Sequence, residues 1–136
     1  MHVLARRFHP GDDLRRSLQL WMKEEAIAAG WIMSGIGSLQ QAALRFAHQP
    51  EPTVLKGYFE ILSLSGTVSQ DGLHLHGAIA NEQGEVLGGH ICKGCLVYTT
   101  AELVIGVTDQ LRFTRQPDPQ TGFLELQIAE TDEITS

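Results

Sequence analysis

Residues 73–91 read LHLHGAIANEQGEVLGGHI, two β-prone runs on either side of a polar turn. In a strand, residues two apart share a face. Leu73, Leu75, Gly77 and Ile79 therefore point one way, and His74, His76, Ala78 and Ala80 the other. Asn81-Glu82-Gln83-Gly84 fits a type I turn followed by a residue in the left-handed region, the three-residue hairpin loop with a glycine bulge. That loop pairs Asn81 with Glu85. Counting outward, Ala80 faces Val86, Ala78 faces Gly88, His76 faces His90, and His74 faces Cys92. A loop one residue shorter or longer would slip the register and carry His90 to the opposite face. Gly84 favours the three-residue form.

Outside this hairpin the chain is also mostly β. Val3–Phe8 reads as a short strand, broken by Pro10-Gly11. Asp12 and Asp13 supply an N-cap and negative charge for a helix start. Leu14, Leu18, Trp21, Met22 and Ile27 recur at helical spacing, and Gly30 suits the C′ position, so one amphipathic helix is predicted over 12–29. Trp31–Ile36 and Gln41–Ala47 read as two strands, with a Pro-broken loop over 48–53. Tyr58–Ser69, Glu85–Ile91 and Leu96–Val107 continue the β pattern. Leu111–Arg115 and Gly122–Glu130 form a last antiparallel pair across QPDPQT. The pattern is that of a single α+β domain over 1–130, with a largely antiparallel sheet and one main helix. A polar tail, 131–136, follows and is expected to fray. Trp31–Ile36 and Leu96–Val107 are apolar on both faces. One helix cannot cover both, so burial against further copies of the chain is expected.

The chain has 136 residues, enough for one domain with its own core. Apolar residues make up 43% and charged residues 19%, which is ordinary globular composition. No run approaches about 18 apolar residues, and the start lacks an apolar segment followed by a cleavage site. A cytoplasmic protein with no membrane association is expected. The net charge of −6 and the scattered basic residues disfavour an autonomous DNA-backbone binder. Cys92 and Cys95 form the single CxxC pair. It lies between two strands rather than before a helix, which argues against redox chemistry.

His74, His76 and His90 are thus expected on one patch. Directly opposed Cβ atoms lie roughly 4.5–5.5 Å apart, close enough for imidazoles to converge on one ion. Neutral imidazoles suit zinc, copper, nickel or iron, with zinc the default divalent metal. Three ligands leave one coordination position open. Cys92 is placed to fill it and close the site, but Lys93-Gly94 follows at once and favours a strand that bends away. His2, His9 and His48 show no such grouping and read as surface residues.

Several blocks in order, GDDL, GWIMSGIGSL, GYFEILSLSGTVS, HLHGAIANEQGEVLGGH and GCLVYTTAELVI, resemble the PPC (plants and prokaryotes conserved) domain family. The resemblance runs over about residues 1–130. It implies a compact domain built on an antiparallel sheet and assembled as a homotrimer. It also implies a stand-alone prokaryotic member, of the kind labelled DNA-binding by analogy with plant proteins. Several prokaryotic members carry an HxH pattern with a later histidine as a metal site, which maps here onto His74, His76 and His90. The chain has no Arg-Gly-Arg-Pro core of an AT-hook, which weakens direct minor-groove binding.

Two functions fit these residues. One is a trimeric binding or regulatory module with a three-histidine metal site, DNA-associated only through the family label. The other is a metal-dependent, hydrolase-like enzyme using the open site. For the second, Glu60 is the candidate acid/base and Arg45 the candidate anion-binding partner. A strand carboxylate paired with Arg45 or with a neighbouring subunit is the plainer role for Glu60. Ser34-Gly35-Ile36-Gly37-Ser38 matches neither a nucleophile elbow nor a P-loop. Thr99 and Thr100 read as sheet residues.

Overall fold

The computed structural model describes residues 1–131. Among these residues, eight strands and one helix follow in the order β1 (His2–Phe8), α1 (Leu14–Glu24), β2 (Ala29–Arg45), β3 (Thr53–Ser69), β4 (Gly72–Ala80), β5 (Val86–Ile91), β6 (Leu96–Thr108), β7 (Leu111–Pro117) and β8 (Leu124–Glu130). The first six strands form one antiparallel sheet in the order β1-β6-β2-β3-β4-β5, and β7 pairs with β8. The expected tail falls largely on residues 132–136, which lie outside the described residues.

The sheet curls back on itself. β2 pairs with β6 as far as Gln41, and beyond that point β5 takes the vacated edge through Leu44↔Ile91 and Arg45↔His90. Gly89 makes this junction possible. A Cβ there would stand 2.8 Å from the Arg45 carbonyl oxygen, closer than real Cβ atoms approach. The enclosed side holds Leu39, Leu44, Phe59, Leu75, Ile79, Ile91, Val97 and Leu103, all buried.

Two sequence readings need correction. Trp31–Ile36 and Gln41–Ala47 are one strand, β2, with register shifts near Ile32/Ser34, Gly37/Leu39 and Leu39/Gln41. Irregular pairing at these places breaks the strict alternation that would announce a continuous strand. The helix is also shorter than 12–29. Asp13 caps its start by accepting from Arg16 N. Its end is a Schellman motif: Ile27 N donates to Met22 O, Ala26 N to Lys23 O, and Ala26 takes the left-handed conformation at φ 51°. Ile27 is buried from the cap rather than from the helix, which is why the apolar stripe overran the end. Gly30 belongs to β2, packed against the Gly106 carbonyl.

The helix buries Leu14, Leu18, Trp21 and Met22. Its entry is laced to the β5–β6 loop: Asp13 Oδ2 accepts from Gly94 N at 2.7 Å, and Leu14 N donates to Cys95 O at 2.8 Å. The other face of the sheet keeps apolar side chains in solvent, with Met33, Ile36 and Leu62 each about half exposed. No helix among the described residues is long and apolar enough to cross a membrane.

Candidate metal centre

The β4–β5 turn has the form that sets the register. Gly84 sits at φ +78°, Gly84 N donates to Asn81 O, and Asn81 N donates to Glu85 O. The Asn81 side chain accepts from both Gln83 N and Glu85 N. The ladder then runs Ala80↔Val86, Ala78↔Gly88 and His76↔His90. Leu73, Leu75 and Ile79 enter the core, so His74 and His76 face outward, and His90 joins them half-buried.

The three imidazoles converge. Their ring centroids are 4.8, 5.3 and 5.8 Å apart. One ligand nitrogen from each lies within 4.8 Å of the other two. The Nε2 atoms of His74 and His76 stand 3.2 Å apart. Two nitrogens bound to one tetrahedral ion at about 2.0–2.1 Å are separated by about 3.4 Å, so this pair already has near-coordinating geometry. A donor set of three imidazoles fits a borderline divalent metal.

Burial lowers the pKa of His74, and His76 and Arg115 add to the effect. Burial, followed by Arg45 and Arg15, lowers that of His90 to about 4. Both shifts favour the neutral imidazole, the form that donates a lone pair to a metal.

The surroundings match the sequence reading only in part. Arg45 does stand beside the cluster, directly across from His90. Glu60 does not; it pairs with Ala80, four residues along β4 from His76, and with Ser38 of β2. No ion pair joins Arg45 and Glu60. His74 does not face Cys92, because β5 leaves β4 after His90 and Cys92 N bonds to Ala43 O instead. Cys92 lies outside the cluster, and its Sγ is directed to the His90 carbonyl at 3.6 Å.

Arg15 fills the gap left where the strands part. Its guanidinium donates to Leu73 O and Ile91 O, both at 3.1 Å, and so holds the residues next to His74 and His90 in place. Arg115 of β7 donates to Thr67 Oγ1 at 3.0 Å, and Thr67 is the cross-strand partner of His74. Glu125 of β8 contributes a negative field at His74. Arg15, Arg115 and Glu125 were missed because they come from distant elements. A small cleft of about 130 Å³, lined by Ser65, Gly66, Thr67, His74 and His76, opens beside the imidazoles.

The model of the Plants and Prokaryotes Conserved (PCC) domain matches residues 1–109. The chain belongs to this family. The PCC match ends before the β7–β8 hairpin that carries Arg115 and Glu125. A protein named bifunctional protein GlmU, from Synechococcus sp. (strain JA-3-3Ab), is 47% identical over 135 residues. That match takes in 99% of this chain but 22% of the relative, so the chain spans about a fifth of the length of the curated relatives it matches.

Among solved structures, a protein from Salmonella enterica shares 42% identity with a TM-score of 0.91, covering 95% of this chain and 94% of that one. A metal-containing protein from Archaeoglobus fulgidus shares 28% identity with a TM-score of 0.75, covering 93% and 94%. A candidate DNA-binding protein from Bacteroides thetaiotaomicron shares the PCC fold at 24% identity and a TM-score of 0.83, covering 92% and 91%.

Proposed function

We propose that this PCC chain is a cytoplasmic binding module whose outer β4–β5 face holds one divalent metal, zinc by donor chemistry, through His74, His76 and His90. The observation that carries this reading is the convergence of one nitrogen from each of the three within 4.8 Å. The metal-containing Archaeoglobus relative supports it. When bound, the ion supplies a Lewis-acidic position with room for a further ligand. The chain's own residues orient it: Arg15 fixes the backbone on either side, and the Asn81–Gly84 turn fixes the register. Assembly as a homotrimer belongs to the same reading, supported by the half-exposed Met33, Ile36 and Leu62. Direct DNA binding is the weaker part, because the net charge is −6.

A metal-dependent hydrolase is the second reading, favoured by the cleft beside His74 and His76. Arg45 stands across from His90, and Glu125 adds a negative field at His74, whereas Glu60 lies opposite Ala80.

Elemental analysis of the purified protein, before and after incubation with Zn²⁺, tests the metal. One equivalent per chain is expected. A preparation that is metal-free and also fails to take up zinc would remove the site. A trimer mass in solution is expected from light scattering, and a monomer at micromolar concentration would remove the assembly.

A further inference from the structure

β2 loses its register with both neighbours at one place. Leu39 pairs with Phe59 of β3 and Val97 of β6, whereas Gln41 pairs with Lys56 and Leu96. Between these rungs β2 advances two residues, β3 three and β6 one. Gly57 lets β3 make the detour, at φ +139°, a conformation that L side chains rarely adopt. Bulges of this kind re-aim side chains and are over-represented beside functional sites. Here the irregular rungs open a cleft of about 350 Å³, lined by Gln40, Gln41, Lys56, Gly57, Tyr58 and Leu96. It shares no residue with the cleft beside His74 and His76.

The lining suits a ring and an acid. Tyr58 and Tyr98 stack with centroids 4.7 Å apart, so Tyr98 supports the Tyr58 ring from one side. Tyr58 is still half exposed, which leaves ring surface for a ligand. Flat heterocycles stack on such rings whatever their substituents. Gln41 Nε2 donates to Gly94 O at 3.0 Å, which holds the amide and leaves its oxygen as an acceptor. Gln40 adds an exposed amide. Amides of this kind match the donor and acceptor edges of a nucleobase. Lys56 is exposed, and among the described residues it has no carboxylate within ion-pair distance. The nearby carboxylates are placed elsewhere: Glu60 lies opposite Ser38, beyond Tyr58, and Asp13 accepts from Gly94 N and Arg16 N. A lysine ammonium is a compact charge that suits a phosphate. The volume falls within the range of small-molecule sites.

We propose that this cleft binds a small anion with a planar ring, the chemistry of a nucleoside monophosphate. The ring lies on Tyr58, its polar edge meets Gln40 and Gln41, and the phosphate sits at Lys56. The site is independent of the metal reading and uses none of its residues.

Calorimetric titration of AMP and UMP at constant ionic strength tests it, with adenosine and ribose 5-phosphate as the ring and the acid alone. Saturable binding of at least one nucleotide is expected, with each fragment about tenfold weaker or less. Tyr58→Ala should weaken nucleotide binding about tenfold through loss of the stack. Lys56→Gln should weaken it about fivefold and narrow the gap to adenosine, as expected for one exposed charge contact. Both variants should keep the wild-type melting temperature. Should Tyr58→Ala lower it, Tyr58→Leu, which keeps apolar bulk against Tyr98 but removes the ring, takes its place. Binding of neither nucleotide, equal binding of adenosine, or binding left unchanged by either variant would overturn the proposal. Zinc-loaded and metal-free protein should bind alike, and nucleotide binding that requires zinc would move the phosphate to the histidines and overturn the assignment. A chain that takes up no zinc removes the metal reading alone, and the nucleotide titration still decides this one. A single-stranded oligonucleotide that binds more tightly than AMP through Lys56 and Tyr58 would overturn the small-molecule assignment.

Discussion

Two adjacent stretches of this chain carry side chains that bind metals, the histidine face of β4–β5 and the Cys92–Cys95 turn that follows it, and they end up in opposite states. Cys95 is wholly buried. Its Sγ accepts from Ala43 N and donates to Ala43 O, both at 3.3 Å, and burial pushes the thiol up to about 11. It behaves as a small core residue. Cys92 is directed to a backbone carbonyl. The three histidines face outward instead, because alternation along β4 gives Leu73, Leu75 and Ile79 to the core and His74 and His76 to the outer face, where His90 of β5 pairs with His76. Donor chemistry alone does not make a site. The strand face decides whether the lone pairs are free.

The contrast can be broken most forcefully from the histidine side. His76→Ala removes one of three ligands and should weaken zinc binding by about a hundredfold or more, read by competition against a chelator dye. Next in size is the junction that brings β5 to β2. Gly89→Ala places a Cβ against the Arg45 carbonyl and should cost about 1–3 kcal/mol in denaturant unfolding, with loss of zinc affinity as His90 shifts.

Acid separates the two stretches further. His90 has a folded-state pKa of about 4 against an ordinary 6.5, so the unfolded chain takes up the proton first as pH falls. The associated stability is fully present above about pH 6.5, declines down to about pH 4, and is constant below that. His74 shifts in the same direction. For the metal-free protein the loss should be about 1 kcal/mol, since the half-buried His90 is partly screened by solvent, and chemical unfolding at pH 7, 5.5 and 4 reads it. Cys95 stays protonated throughout that window. The smallest effect is expected from Cys92→Ser, which should leave zinc affinity within about twofold, because its Sγ lies outside the cluster.

Much of this was legible in the sequence because it depends on local rules. The alternation of LHLHGAIA and the left-handed Gly84 together fix His76 opposite His90, and the structure has that pairing. The Asp13 cap and the apolar stripe locate the helix, although Ile27 shows that a stripe cannot tell a last turn from a cap. What was not legible depends on contacts between distant elements. The return of β5 to β2 separates Cys92 from His74, and nothing in either strand's own pattern announces it. Arg15 reaches the site from the helix, and Arg115 and Glu125 from the final hairpin. Glu60 was drawn in by residue type and set apart by register, opposite Ala80 rather than a histidine.

X-ray absorption at the zinc edge of the loaded protein tests the contrast between the two stretches most directly. The expected first shell contains nitrogen and oxygen only, at about 2.0–2.1 Å, with the outer-shell scattering of three imidazoles. A sulfur scatterer at about 2.3 Å, or fewer than three imidazoles, would contradict the assignment of the ion to His74, His76 and His90.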